Sequence, residues 1–352
     1  MGSEGENVGK LLPEFERLHP GVKVVLQSIP WTAAHEKLLT AYAGNSLPDV
    51  FQLGNTWIPE FSVLNALEDL RPWLRGSSLL RQEDFFPGIW ETNVMDSLLL
   101  GIPWYVDTRV LFYRKDVLAA AGYERPPRTW EEWKDLSRRI VRRGKRGEQY
   151  ALLLPTNEYV PPLVLGLQTG SPFLKEDGTR GDFAGPKFRQ AFDFYISFFR
   201  EGLAPVGVTR FRNIYQGFAE GSYAMYITGP WNLGEFQRRM PDSLRDIWMT
   251  APLPAPDTLY PGASLAGGAS LVMSRRSEKK REIWQLIEFL CGRSVQVAFY
   301  RLTGNLPGRL DAWEDSSFAG NPRVMAFHRQ FMRVRAYPKV PEWEQISIQL
   351  MQ

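Results

Sequence analysis

The sequence predicts an α/β protein of two domains. Apolar positions alternate with period two in some stretches and recur with period 3.6 in others, and the two patterns take turns along the chain. A length of 352 residues is roughly twice what one hydrophobic core serves. The 44% hydrophobic and 23% charged residues are those of an ordinary folded chain, which excludes disorder and collagen-like order. Alternating strands and helices favour a largely parallel sheet, with ligands at the loops that follow the strands.

Val8, Leu11, Leu12, Phe15 and Leu18 share one helical face, and His19-Pro20-Gly21 ends that helix. Ser3 and Glu6 have the spacing of a capping box before it. Val22, Val24 and Leu26 alternate as a strand running to Ile29. Pro30-Trp31-Thr32 turns into a second helix that stops at Gly44. Pro48 to Leu53 is a short buried strand, followed directly by Gly54-Asn55-Thr56-Trp57. Leu98 to Asp107 and Val110 to Tyr113 are strands, and Lys115-Asp116 opens a helix ending at Gly122. Thr129 and Glu132 form a capping box for a helix through Val141. Tyr150 to Leu154 is a strand. Phe188 to Phe199 is a helix whose stripe of Phe188, Ala191, Phe192, Tyr195 and Phe199 is read as core. Tyr223 to Ile227 is a strand running into Gly229-Pro230-Trp231. Ser270 to Met273 is a strand, and Lys279 to Leu290 a helix. The chain has no internal repeat and no low-complexity linker, so its domains are expected to be joined by several crossings.

Composition narrows the function. No apolar run approaches the ~18 residues of a membrane span. Cys291 is the single cysteine, and His19, His35 and His328 are far apart, so no disulfide framework, zinc site or other metal centre is expected. No cofactor is expected either. With 42 basic and 39 acidic residues the charge is near balance. One basic stripe runs through Lys134, Arg138, Arg139, Arg142, Arg143, Lys145 and Arg146. It reads as the solvated face and C-terminal end of a helix, and a nucleic-acid partner is not expected. Residues Met1 to Glu6 have neither the basic head nor the apolar core of a signal peptide.

The aromatics are more informative. Several of the 12 Trp sit in loop-like contexts: Pro30-Trp31-Thr32, Asn55-Thr56-Trp57, Pro103-Trp104-Tyr105, Gly229-Pro230-Trp231-Asn232 and Pro341-Glu342-Trp343. Loops at element ends carry function more often than cores do. Flat rings there suit a ligand with a flat apolar face.

Short motifs carry a family resemblance across nearly the whole chain. They are Leu12-Pro13-Glu14-Phe15-Glu16 with His19-Pro20-Gly21-Val22-Lys23-Val24, Leu47-Pro48-Asp49-Val50, and Gly101 to Thr108 with Leu111 to Asp116. Pro127 to Trp133, Phe218-Ala219-Glu220-Gly221 with Gly229-Pro230-Trp231, and Gly267-Gly268 before Ser270-Leu271-Val272 complete the set. Each is weak alone, but their order is specific. The chain resembles the extracellular solute-binding proteins of ABC importers, in the carbohydrate-binding, maltose-binding-protein-like group. The resemblance implies a two-lobed periplasmic-binding-protein-like fold of type II, with the ligand cleft between lobes that close by a hinge. Lobe one is expected at 1–109 plus 262–311 and lobe two at 110–261 plus 312–352, with crossings near 108–111, 260–263 and 308–313. It further implies a monomer that binds a small carbohydrate and hands it to the permease subunits of an ABC transporter without transforming it. The setting would be the periplasm or, as a lipoprotein, the cell surface. The family carries an apolar strand before the segment matching Gly2 to Glu6 and more helix after Trp343. The functional precursor is therefore expected to begin upstream of Met1.

A sugar ring has apolar C–H faces and a rim of hydroxyls, so its site needs aromatic faces with planar donors and acceptors beside them. Trp31, Trp57, Tyr105, Trp231 and Trp343 are the candidate rings, and Glu4, Asn55, Asp107 and Arg335 the polar partners. Gly268 is a tight-backbone position that would offer its amide. The competing readings are lobe packing for Trp231, helix capping for Asp107, a helix-dipole carboxylate for Glu4, and anchoring of the C-terminal segment to the second lobe for Trp343. Three rival functions remain. A glycan-cleaving enzyme would need a carboxyl pair that no loop context singles out. A binder of polyamine, metal or phosphate lacks metal ligands and a phosphate loop. A nucleic-acid binder would use the basic stripe.

Overall fold

The computed structural model describes residues 3–144, 149–176, 178–207 and 213–350. The chain divides into two compact units. The first comprises Met1–Asp107, Ala266–Gly320 and Lys339–Glu344; the second comprises Thr108–Leu265, Asn321–Pro338 and Gln345–Gln352. The third crossing lies at Gly320, later than 308–313, because an aromatic knot keeps the intervening segment in the first unit. Trp313 donates its indole N–H to the Pro307 carbonyl at 3.1 Å and packs on Phe86 and Phe318. Lys339–Glu344 also belongs to the first unit, where Lys339 Nζ reaches the Glu91 carboxylate at 2.5 Å and the Val94 carbonyl at 2.9 Å.

The first unit holds a four-stranded sheet in the order Val50–Gly54, Gly267–Met273, Ile102–Asp107, Leu306–Pro307. Every neighbouring pair is antiparallel, which corrects the largely parallel sheet expected from the alternation of elements. The reason is the path of the chain. It leaves this unit along Ile102–Asp107 and returns along Gly267–Met273, and Asp107 stands opposite Gly267 in the ladder. Adjacent exit and return strands must run in opposite directions. Trp104 stacks on Phe299 at 4.6 Å in the core beside this sheet. The Lys280–Leu290 helix packs on the return strand and buries Ile283, Trp284, Leu286, Ile287 and Leu290.

Two early elements differ from expectation. The opening helix is broken into Ser3–Val8 and Leu12–Leu18. Pro13 has no N–H to continue a helix and sits comfortably only in a first turn. The stretch 22–29 is extended, but forms no strand ladder among the described residues. Val24 N–H is taken instead by the Glu16 carboxylate at 3.0 Å. Val22 and Val24 still pack on the core, while Val25 and Leu26 face solvent.

In the second unit the strand order is Tyr150–Leu153, Tyr223–Thr228, Val110–Arg114, Trp248–Ala251. The first pair is parallel and the other two antiparallel. The Trp130–Arg143 helix begins at Thr129, whose Oγ1 accepts from Glu132 N–H at 3.1 Å. The Glu132 carboxylate accepts from Arg128 N–H at 2.8 Å and pairs with Arg125 at 2.9 Å. The Pro186–Arg200 helix buries Phe188, Ala191, Tyr195 and Phe198. That face is rotated from the expected stripe: Phe192 is exposed, and Phe194 and Phe198 pack against Trp130 and Trp133 instead. Three residues of the basic stripe are ion-paired. Lys134 and Arg138 share Glu201 and Arg139 meets Asp135, each at 2.8 Å, while Lys145 and Arg146 lie outside the described residues.

Candidate ligand-binding site

The second unit builds a pocket of about 200 Å³ at the end of the Tyr223–Thr228 strand. Gly229-Pro230 turns the chain, and Trp231 is the first residue of the Trp231–Arg239 helix. A side chain at position 229 would run into the Trp231 ring, so glycine is what lets the indole lie back over the turn. Trp231 is 51% exposed, and the Arg109 guanidinium lies 4.4 Å from its ring centroid. Asn157, Glu158, Tyr159 and Val160 form one wall, with Tyr226 and Thr228 at the back. Thr228 accepts from Asn232 Nδ2 at 2.7 Å, and Asn232 Oδ1 accepts from the Tyr215 hydroxyl at 2.8 Å, so the back wall is braced by a hydrogen-bonded chain.

The pocket is charged as well as aromatic. Glu158 is an exposed residue of this lining, with its carboxyl partly desolvated. Partial desolvation raises its pKa, and the Arg109 charge opposes that rise. Burial pushes the Tyr226 phenol up to about 12, with the Glu158 charge acting in the same direction. Tyr226 is therefore a neutral donor at physiological pH. Arg109 is held at its backbone: Ser264 Oγ accepts from Arg109 N–H at 3.2 Å and donates to the Arg109 carbonyl at 2.9 Å.

The first unit collects most of the other expected residues, but buries many of them. Trp31 opens the Trp31–Ala43 helix and is 44% exposed, with Trp57 at 4.9 Å between ring centroids. Trp57 is only 8% exposed. Its other near ring is His35, and its indole N–H donates to Glu344 at 3.1 Å. Both indoles lie over Gly54, at ordinary contact distance from where a Cβ would stand. Tyr105 is equally buried, and its hydroxyl accepts from Gln52 Nε2 at 2.6 Å. Burial holds the Tyr105 phenol well above its usual pKa, with the Glu4 and Asp107 charges adding to the effect. Glu4 accepts from Asn305 Nδ2 at 3.2 Å, and Asp107 is half-buried at the end of its strand. Asn55 is buried and accepts from Ser270 Oγ at 3.4 Å, while its Nδ2 has no partner among the described residues.

Three further candidates are placed as follows. Trp343 is buried in the first unit, so it neither presents a ring to solvent nor anchors the C-terminal segment to the second. Gly268 is required by geometry: its φ is +119°, and a Cβ would press on the Tyr105 carbonyl and stand 2.7 Å from Val106 Cα. Arg335 is exposed in the second unit and donates to the Leu167 carbonyl at 3.3 Å, away from the residues that line the Trp231 pocket.

Among the described residues, no group of three or more His, Cys, Asp or Glu could hold a metal ion. No helix there is long and apolar enough to cross a membrane.

Residues 2–297 match the family described as bacterial extracellular solute-binding protein. The chain belongs to that family. This solute-binding protein is 45% identical in sequence to the sugar-binding protein MalE of Xanthomonas citri. The superposition has a TM-score of 0.96 and covers 100% of this chain and 88% of that one. It is 26% identical over 340 residues to a putative binding protein of Brucella abortus, covering 95% of this chain and 80% of the relative. It is also 25% identical to the diacetylchitobiose-binding protein of Streptomyces coelicolor, covering 92% and 75%. The fold is the two-lobed, maltose-binding-protein-like α/β fold of these relatives.

The sequence of this solute-binding protein did not single out Arg109, Asn157, Glu158, Tyr159, Tyr226 or Thr228. Two signals were available. Asn157-Glu158-Tyr159 leads into the Pro161-Pro162 start of the Val160–Gln168 helix, a loop that follows a strand. Arg109 is a cation that stands directly before the apolar run Val110 to Phe112, after Asp107-Thr108. A charge placed there calls for a partner.

Proposed function

We propose that the chain is the solute-capturing component of an ABC sugar importer, binding a mono- to oligosaccharide or polyol without transforming it and passing it to permease subunits outside the cytoplasm. The observation that carries this is the half-exposed Trp231 indole set among Arg109, Glu158, Tyr226 and Thr228. A C–H face of a sugar stacks on the ring, Glu158 accepts from its hydroxyls, and Arg109 and the neutral Tyr226 donate to them. Glu158 is the only carboxylate among the residues lining this pocket, which supports binding over glycosidic cleavage by a carboxyl pair. The Xanthomonas protein is named for sugar binding, and others among the relatives are named for diacetylchitobiose, arabinooligosaccharide and galactooligosaccharide. These names support an oligosaccharide as the ligand class.

The test is thermal melting and calorimetry against a panel of neutral mono-, di- and oligosaccharides and polyols. A bound sugar at ~100 times its Kd is expected to add about 2.7 kcal/mol to stability through mass action. No melting shift and no heat with any member would remove the sugar reading. Product formed from any oligosaccharide would replace it with the enzyme.

A further inference from the structure

We propose that Arg109 and Glu158 restrict the Trp231 pocket to uncharged saccharides, each charge excluding one class of ionised sugar. The inference rests on the pocket being a sugar site and asks which sugars it admits. Both groups line the same small cavity, one as a guanidinium against the indole and the other as a partly desolvated carboxyl. They are close enough for the Arg109 charge to act on the Glu158 carboxyl.

A hydroxyl satisfies both groups. It can donate to the carboxylate and accept from the guanidinium, and it brings no charge of its own. An ionised sugar cannot do this. The ammonium of an amino sugar would meet Glu158 favourably, but would enter beside a guanidinium it repels. The carboxylate of a uronic sugar would meet Arg109, but would crowd Glu158. A charge of either sign is thus opposed by one member of the pair, which is discrimination by a repulsive element. Arg109 is poorly placed to yield. Ser264 grips its backbone N–H and carbonyl, and its side chain rests on Trp231.

The two charges should be separable by substitution. Arg109→Met keeps the length of the side chain and removes its charge, leaving Glu158 as a lone acid. Glu158→Gln keeps the shape of the carboxyl group and removes its charge, while the Arg109 charge stays. Arg109→Lys keeps the charge while losing the planar stack.

The experiment is calorimetry on the full chain with maltose, N,N′-diacetylchitobiose and galactobiose. The one that binds most tightly is then compared with its 2-amino and its 6-carboxyl counterparts. Wild type is expected to prefer the neutral sugar by about tenfold or more over both charged forms. Arg109→Met should bring the amino sugar to within about threefold of the neutral one, and Glu158→Gln should do the same for the carboxyl sugar. Arg109→Lys should keep the bias against the amino sugar. Melting of each variant without ligand verifies that it is folded, and the two charge-removing variants test the idea independently. Wild type binding charged and neutral forms alike, or variants that leave the ratios unmoved, would overturn the charge reading while leaving sugar binding intact. If none of the three binds, the tightest neutral binder of the wider panel takes their place, and when no member of that panel binds the sugar reading falls, and this inference with it.

Discussion

Two tryptophans from similar-looking loops take different positions. Trp231 is 51% exposed over a glycine turn, whereas Trp57 is 8% exposed with its N–H committed to Glu344. Truncating each should therefore fail differently. Trp231→Ala is expected to weaken sugar binding by about 2 kcal/mol or more, the range of an aromatic hot spot, with little change in the melting temperature of the free protein. Trp57→Ala removes a buried ring and should cost about 3–5 kcal/mol of stability before any ligand is added. Urea unfolding and calorimetry on both variants check the pair. A Trp231→Ala protein that unfolds early yet binds sugar normally would make Trp231 a packing residue.

At the scale of elements, the clearest electrostatic statement concerns the start of the Trp130–Arg143 helix. Arg125 and the Arg128 N–H hold the Glu132 carboxyl at a pKa of about 2, against an ordinary 4.5. A depressed pKa stabilises the fold above the ordinary value and loses that contribution as pH falls toward 2. Solvent reaches this pair, so the effect is small and screened by salt. Melting temperatures from pH 6 to pH 2 should fall less steeply for Glu132→Gln than for wild type, with Glu132→Gln the less stable protein at pH 6. Equal slopes would mean that the pair contributes nothing measurable. The cap was legible in the sequence because Thr129 and Glu132 carry a local signal. The break before Leu12 was also legible in principle, since Pro13 announces a first turn, but the apolar face running from Val8 to Phe15 masked it.

For the whole molecule, the family could be reached from scattered motifs, because each is a local turn or strand end whose residues specify their own geometry. The antiparallel sheet of the first unit could not. Alternating strand and helix is compatible with either direction, and only the distant pairing of Asp107 with Gly267 decides it. The site was partly legible for the same reason. Trp231 carries a local turn signal, while burial of Trp57, Tyr105 and Trp343 depends on residues hundreds of positions away or on the far side of a sheet. Loop-like context tells where a ring begins, but not what covers it.

Thr108 Oγ1 donates to the Leu265 carbonyl at 2.7 Å, across 157 positions of sequence. The exit strand of the first unit ends and its return strand begins at that same junction, so the strand between Val50–Gly54 and Ile102–Asp107 emerges from the ribosome long after both neighbours. Synthesis at roughly 5–20 residues per second leaves a window of many seconds in which Val50–Gly54 and Ile102–Asp107 have nothing between them. Contacts of such long range also slow the search once the chain is complete. A nascent chain halted before residue 267 should thus remain open to protease in its first hundred residues, and become resistant only when the return strand is released. The order of synthesis, rather than the final stability, then sets how long this polypeptide stays unfolded.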